Sequence, residues 1–201
     1  MDFYVNEEKI DLSIENEKNV GDILTNFQTL CENNNATIIG IIIDGKNIPA
    51  DEIDEISKKL LVNTNKIELT TVALEDIQKG FSEIKKLCDD LSVKLEEVPV
   101  QLQNNLDAKV NQTVKDFTYM FDSFFRITTL SSLFPSFFEK LIIKDKPVNE
   151  FLINDLAPIL KDFEAALINK DTVLIGDLCE YEILPTVNEI KDLVNLINTE
   201  A

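Results

Sequence analysis

Eight apolar residues, Leu74, Ile77, Phe81, Ile84, Cys88, Leu91, Leu95 and Val98, follow one another at intervals of 3, 4, 3, 4, 3, 4 and 3. Such a stripe keeps to one side of an α-helix and to no side of a β-strand. It therefore commits residues 74–98 to one straight helix with a narrow apolar seam. Pro99 is expected to break that helix, because the residue before a proline is pushed out of helical geometry. A second stripe, Leu102, Leu106, Val110, Val114, Phe117, Phe121 and Phe124, predicts another helix. A short connection makes the two antiparallel neighbours, a helical hairpin. The first seam then either packs within one chain or pairs with a second copy as a homodimer. The looser spacing of the second stripe favours packing within the chain.

Upstream of Leu74 the period is different. Phe3-Tyr4-Val5 and the alternating Ile10-Asp11-Leu12-Ser13-Ile14 flank a polar Asn6–Lys9 segment, which predicts two strands of a hairpin. Val20, Ile23, Leu24, Phe27 and Leu30 have helical spacing, and Asn33-Asn34-Asn35 ends that helix. The β-branched run Thr37–Ile43 predicts a central strand buried on both faces, and Asp44-Gly45 a tight turn after it. Pro49 opens a short acidic helical segment running from Asp51 to Leu60, and Lys66–Val72 closes the series as a strand.

That order of elements, carried by Ile10–Ile14, Val20–Leu30, Ile38–Ile43 with Asp44-Gly45, and Lys66–Val72, resembles the ubiquitin-like β-grasp fold. The resemblance implies a compact protein-binding module in the first third of the chain. The Gly-Gly terminus on which some members of that family carry out conjugation or sulfur transfer has no counterpart, since Glu68–Val72 runs straight into Ala73-Leu74. The expected fold class is α+β. A ubiquitin-like β-grasp domain (1–72) precedes an all-α helical bundle domain (73–201), made of the long helical hairpin and two further helices.

Residues 130–148 carry breakers, Ser131-Ser132, Pro135 and Lys144–Pro147. After them Phe151–Ile168 and Asp171–Ile197 read as two helices, with Asp171 or Thr172 as the second N-cap. Each contains one proline, Pro158 and Pro185, which should start or kink its helix. Setting the prolines in register aligns Leu156 with Ile183, Leu160 with Val187 and Phe163 with Ile190, a weak internal echo. Gly176 is expected to let a neighbouring helix come close.

The chemistry of the chain is defined as much by what it lacks. It has no histidine, so the commonest general base and metal ligand near neutral pH is missing. Phosphate-binding glycine loops, nucleophile elbows and paired-cysteine ligand sets are absent from the sequence. Nineteen basic against 37 acidic residues give a net charge of −18, spread as −8 over residues 1–72 and −10 over 73–201. That disfavours nucleic acid and anionic membrane surfaces and favours a basic protein partner or an apolar one. The apolar stretch Phe117–Ile143 is interrupted by charges, so membrane insertion is not expected. No leader pattern begins the sequence, and Cys31, Cys88 and Cys179 are odd in number and widely spaced, which reads as buried thiols in a cytoplasmic protein. No cofactor is expected.

Two clusters stand out. Seven of the twelve phenylalanines lie within residues 117–138. Adjacent pairs there point about 100° apart on a helix, so one buried stripe cannot hide every ring. The expected protein-binding residues are Phe124, Phe125, Phe134, Phe137 and Phe138, forming a surface or groove that receives an amphipathic helix. Asp177, Glu180 and Glu182, with Tyr181 among them, form the densest acidic group near the C-terminal end and are expected on a solvated face. The reading that follows is a non-catalytic adaptor. The alternatives are an acidic chaperone of the secretion or flagellar type and a carboxylate-based enzyme around Asp177 and Glu180.

Overall fold

A computed structural model describes residues 1–11 and 13–200. The chain forms two compact units, Met1–Asp76 and Ile77–Ala201, in an α+β arrangement.

In the first unit, β1 (Asp2–Val5) turns back through Asn6-Glu7, both with positive φ, into the two-residue β2 (Glu8–Lys9). Among the described residues of the expected strand Ile10–Ile14, none is in a strand. In an antiparallel pairing that matches Val5 with Glu8 and Tyr4 with Lys9, a β1 that begins at Asp2 has nothing left to offer beyond Asp11. Ile10 and Ile14 are exposed, and Leu12 lies outside the described residues.

The helix α1 (Val20–Asn33) starts on a reciprocal cap. Asn19 Oδ1 accepts from the Asp22 N–H at 2.9 Å, and an Asp22 oxygen accepts from the Asn19 N–H. It is followed by β3 (Ala36–Ile43), a turn at Asp44-Gly45, β4 (Lys46–Asn47), a 3-10 turn with α2 (Ile53–Ile56), and β5 (Lys66–Ala73). The sheet order is β2-β1-β5-β3-β4, with β1 parallel and β3 antiparallel to β5. This is a β-grasp-like sheet. Its central strand is therefore β5 and not β3, whose Ile39 remains 45% exposed. A β-branched run marks a strand, but which strand takes the middle is settled by the distant pairing of β1 with β5. Phe3, Val20, Ile23, Ile43 and Ile67 fill the core between sheet and helix.

The turn before β4 also braces β5. Asp44 Oδ1 accepts from the N–H groups of Asn65 and Lys66 at 2.8 and 3.0 Å, and Lys59 Nζ lies 2.7 Å from Oδ2. The Lys59 hydrogen bond first, then the two backbone donors, hold the Asp44 carboxyl down at about 2.

The second unit is built on α3 (Leu74–Gln103) and α4 (Asp107–Ser131). The stripe Ile77, Phe81, Ile84, Cys88, Leu91, Leu95 and Val98 is buried within one chain, which leaves it no free seam for a coiled-coil homodimer. Pro99 does not end the helix. α3 continues through it for another turn, and the reversal comes at Asn105, at φ 53°. Leu102 accordingly belongs to the first helix and not the second. The hairpin is antiparallel, with Lys94 paired to Asp116 at 2.6 Å and Phe81 against Phe124 at 6.4 Å between ring centres. The close approach falls at Gly80, where a Cβ would come within 2.5 Å of Ile127 Cδ1. Gly176 meets only ordinary contacts, at 3.7 Å from Pro99 and Leu102.

The breaker zone contains α5 (Pro135–Phe138) and a small hairpin, β6 (Ile142–Ile143) and β7 (Lys146–Pro147), turning on Lys144-Asp145 with positive φ at both. The last two helical segments share a design that sequence only hinted at. α6 (Val148–Phe151) passes through a wide π turn, Leu152–Leu156, into α7 (Ala157–Asn169). α8 (Thr172–Leu178), capped by Asp171, passes through a second π turn, Cys179–Ile183, into α9 (Leu184–Glu200). In both, the closing bond spans five residues, from Ala157 N–H to Leu152 O and from Leu184 N–H to Cys179 O. A proline follows at once in each, Pro158 and Pro185. The buried positions correspond too: Val148 with Ile175, Phe151 with Leu178, Leu156 with Ile183, Phe163 with Ile190 and Ala166 with Leu193.

Candidate functional site

The five phenylalanines expected to form one binding surface go to different places. Phe124 is wholly buried, packed on Phe81 in the α3–α4 core. Phe137 is half-buried, its ring 6.0 Å from that of Phe81, and it lines a small cavity of about 160 Å³ with Leu193 and Ile197. Phe134 and Phe138 are half-buried at the ends of α5. Phe117 and Phe121 are core residues, with Phe117 edge-on to Phe163 at 4.9 Å.

Phe125 opens onto a sizeable concavity, a groove of about 650 Å³. Leu152, Ile153, Ala157 and Leu160 line it beside Phe125, with Asn149, Lys161 and Glu164 at its polar margin. The π turn runs along this groove, with Ile153 at 69% exposure and Leu156 buried.

The first unit has a groove of its own, about 600 Å³, between α1 and the outer side of β3. Leu24, Thr25, Gln28 and Glu32 form its helical wall, Ile38–Ile41 its strand wall, and Ile48 and Ile53 its floor. Sequence reasoning missed it because the residues belong to three elements brought together by tertiary packing.

The charged lining is Glu32 in the first-unit groove and Lys161 with Glu164 in the Phe125 groove, and no cysteine lines either. The three cysteines are buried free thiols, and burial pushes Cys88 and Cys179 up to about 12 and Cys31 upward as well. They are held protonated and shielded, the reverse of an activated thiol. Asp177, Glu180 and Glu182 are exposed, and the Tyr181 hydroxyl is raised by its hydrogen bond to Glu180 and that carboxylate's charge. Among the described residues no three carboxylates or thiols are placed to hold a metal ion, and no helix is long and apolar enough to cross a membrane.

Fold and grooves together define an α+β protein with a separate apolar concavity on each unit. Residues 79–193 match a domain of unknown function, DUF8042, over more than half of the chain, and the chain belongs to that family. Residues 1–73 match the TP0873 N-terminal domain, which is not a ubiquitin-like family by name. The chain is also similar to an uncharacterized protein of Treponema pallidum (strain Nichols), at 27% identity over 192 residues, covering 96% of this chain and 95% of that one. No solved structure matches.

Proposed function

We propose that this protein is a non-catalytic cytoplasmic adaptor whose two units each bind a protein partner. The observation that carries the reading is the pair of open, largely apolar grooves, one at Phe125 and Ile153 and one between α1 and β3. The strand order supports a ubiquitin-like relationship for the first unit, in which such modules bind proteins rather than transform small molecules. Three unpaired thiols fit a reducing compartment.

The Phe125 groove also suits the chaperone alternative, since an amphipathic helix could lay leucines along Leu152, Ile153 and Leu160. Crosslinking and mass spectrometry of the full chain in its native cell, with Ile153→Asp in parallel, tests both. Because Ile153 is exposed, the variant folds. An adaptor loses a defined subset of crosslinked proteins, and a chaperone loses one dominant client. Identical crosslinks from both chains would remove the Phe125 groove from either account.

A further inference from the structure

Resting on the adaptor reading, we infer that the partner of the first unit is an extended, lysine- or arginine-bearing segment that adds to the sheet along the open edge of β3. On one side β3 pairs with β5 from Ala36 to Ile43, with a bulge between Ile38 and Gly40 that leaves Ile39 out of the register. On the other, β4 pairs only with Ile42 and Ile43, and the Ile48 N–H donates to the Ile41 carbonyl. Among the described residues no strand pairs with the outer side of residues 36–40. Native sheets protect such an edge with charges, proline or a bulge. Ala36–Ile43 contains no charge and no proline, and its one irregularity, the bulge at Ile39, turns an apolar side chain out at 45% exposure.

The groove beside this edge has the dimensions of a missing strand. Four or five extended residues, at about 3.3 Å each, span the open part of β3. Alternate side chains of an added strand would enter the apolar space above Ile38, Ile48 and Ile53, while its backbone meets the free edge.

Charge decides which segment. Residues 1–72 carry a net −8, and four of their six lysines, Lys9, Lys46, Lys59 and Lys66, are held in ion pairs. Glu32 stands on the helical wall, while Asp51, Asp54 and Glu55 neighbour the lining residues Ala50 and Ile53 without an ion pair among the described residues. A second copy of this chain, at −18, is repelled from such a rim, whereas a basic segment is drawn to it.

The test is an amide NMR titration of the full chain with three ten-residue peptides: alternating valine and lysine, alternating valine and glutamate, and the lysine peptide with a central proline. The lysine peptide should shift Ile38–Ile41 together with Thr25 and Gln28, and bind at least tenfold more tightly than the other two. Ile39→Lys on the strand wall and Thr25→Arg on the helical wall should each weaken it at least tenfold. Both positions are exposed, so the fold survives. Equal binding of the glutamate peptide, shifts confined to β2 or the Phe125 groove, or a concentration-dependent dimer abolished by Ile39→Lys would each overturn the proposal. Should the lysine peptide fail while Ile153-dependent crosslinks persist, strand addition falls and the adaptor reading stands.

Discussion

The two units hold their shape by different means. In the first, order comes from partners far apart in the chain: Asp2 sits beside Lys66 and Val5 beside Leu69, and β3 reaches β5 across a turn, β4, α2 and the 3-10 segments Ala50–Glu52 and Leu61–Asn63. In the second, α3 and α4 obtain their backbone bonds from residues four positions away and meet across a three-residue reversal. The grooves differ accordingly. The one on the first unit offers an unpaired backbone edge, and the one on the second offers only side chains along a wide turn. On the proposed reading, the partner of the first is recognised by its backbone and charge, and the partner of the second by its apolar face.

The largest test of this contrast removes a ring from the second unit. Phe81→Ala deletes a fully buried side chain that touches both Phe124 and Phe137, and should destabilise that unit by about 3–5 kcal/mol in urea melts. Hydrogen exchange in β3 and β5 should stay as in the parent; joint loss of protection would break the division into two units. Next comes overpacking in the first unit. A Cβ at Gly21 would lie 2.9 Å from Ser57 Cβ and 3.1 Å from its carbonyl, so Gly21→Ala should lower the unit's stability by about 1–3 kcal/mol, read as a shift in thermal midpoint. Smaller still, Asn19→Ala removes one half of the α1 cap, and circular dichroism on denaturation should report a loss of about 1 kcal/mol.

The subtlest effect is a pH dependence confined to the first unit. The folded Asp44 carboxyl titrates at about 2, below its unfolded value near 4. Its contribution is therefore complete above about pH 4 and is lost as the pH falls through about 2. Asp44→Asn should flatten the acid limb of the first unit's stability curve between those values. An unchanged acid limb would mean that the Lys59, Asn65 and Lys66 contacts do not distinguish folded from unfolded chain.

The same contrast explains what could be read before folding. The α3 seam was legible residue by residue, because periodicity fixes a helix face without reference to anything distant. So were the Asn33–Asn35 stop, the Asp171 cap and the Asp44-Gly45 turn, each a local matter of backbone geometry. The Ile10–Ile14 alternation misled because a strand exists only where a neighbour is long enough to pair with it, and β1 is four residues long. Pro99 misled in the opposite direction: packing of α3 along its whole seam outweighs one missing hydrogen bond. For the site, Phe125 was legible as a ring that one stripe could not hide. The burial of Phe124 and the β3 groove were not, since both depend on which elements meet.

Each π turn holds one residue more than an α-helix would use between the same two points. In an ordinary stretch, losing a residue rotates everything downstream by about 100° and carries the buried face out of the core. At Ile153 or Tyr181, both exposed and both inside a wide turn, the loss should instead tighten the turn and leave Phe163 or Ile190 beyond it facing inward. The C-terminal helices thus carry slack in their phase at two matched points, where the chain can shorten by one residue without changing which side meets the core.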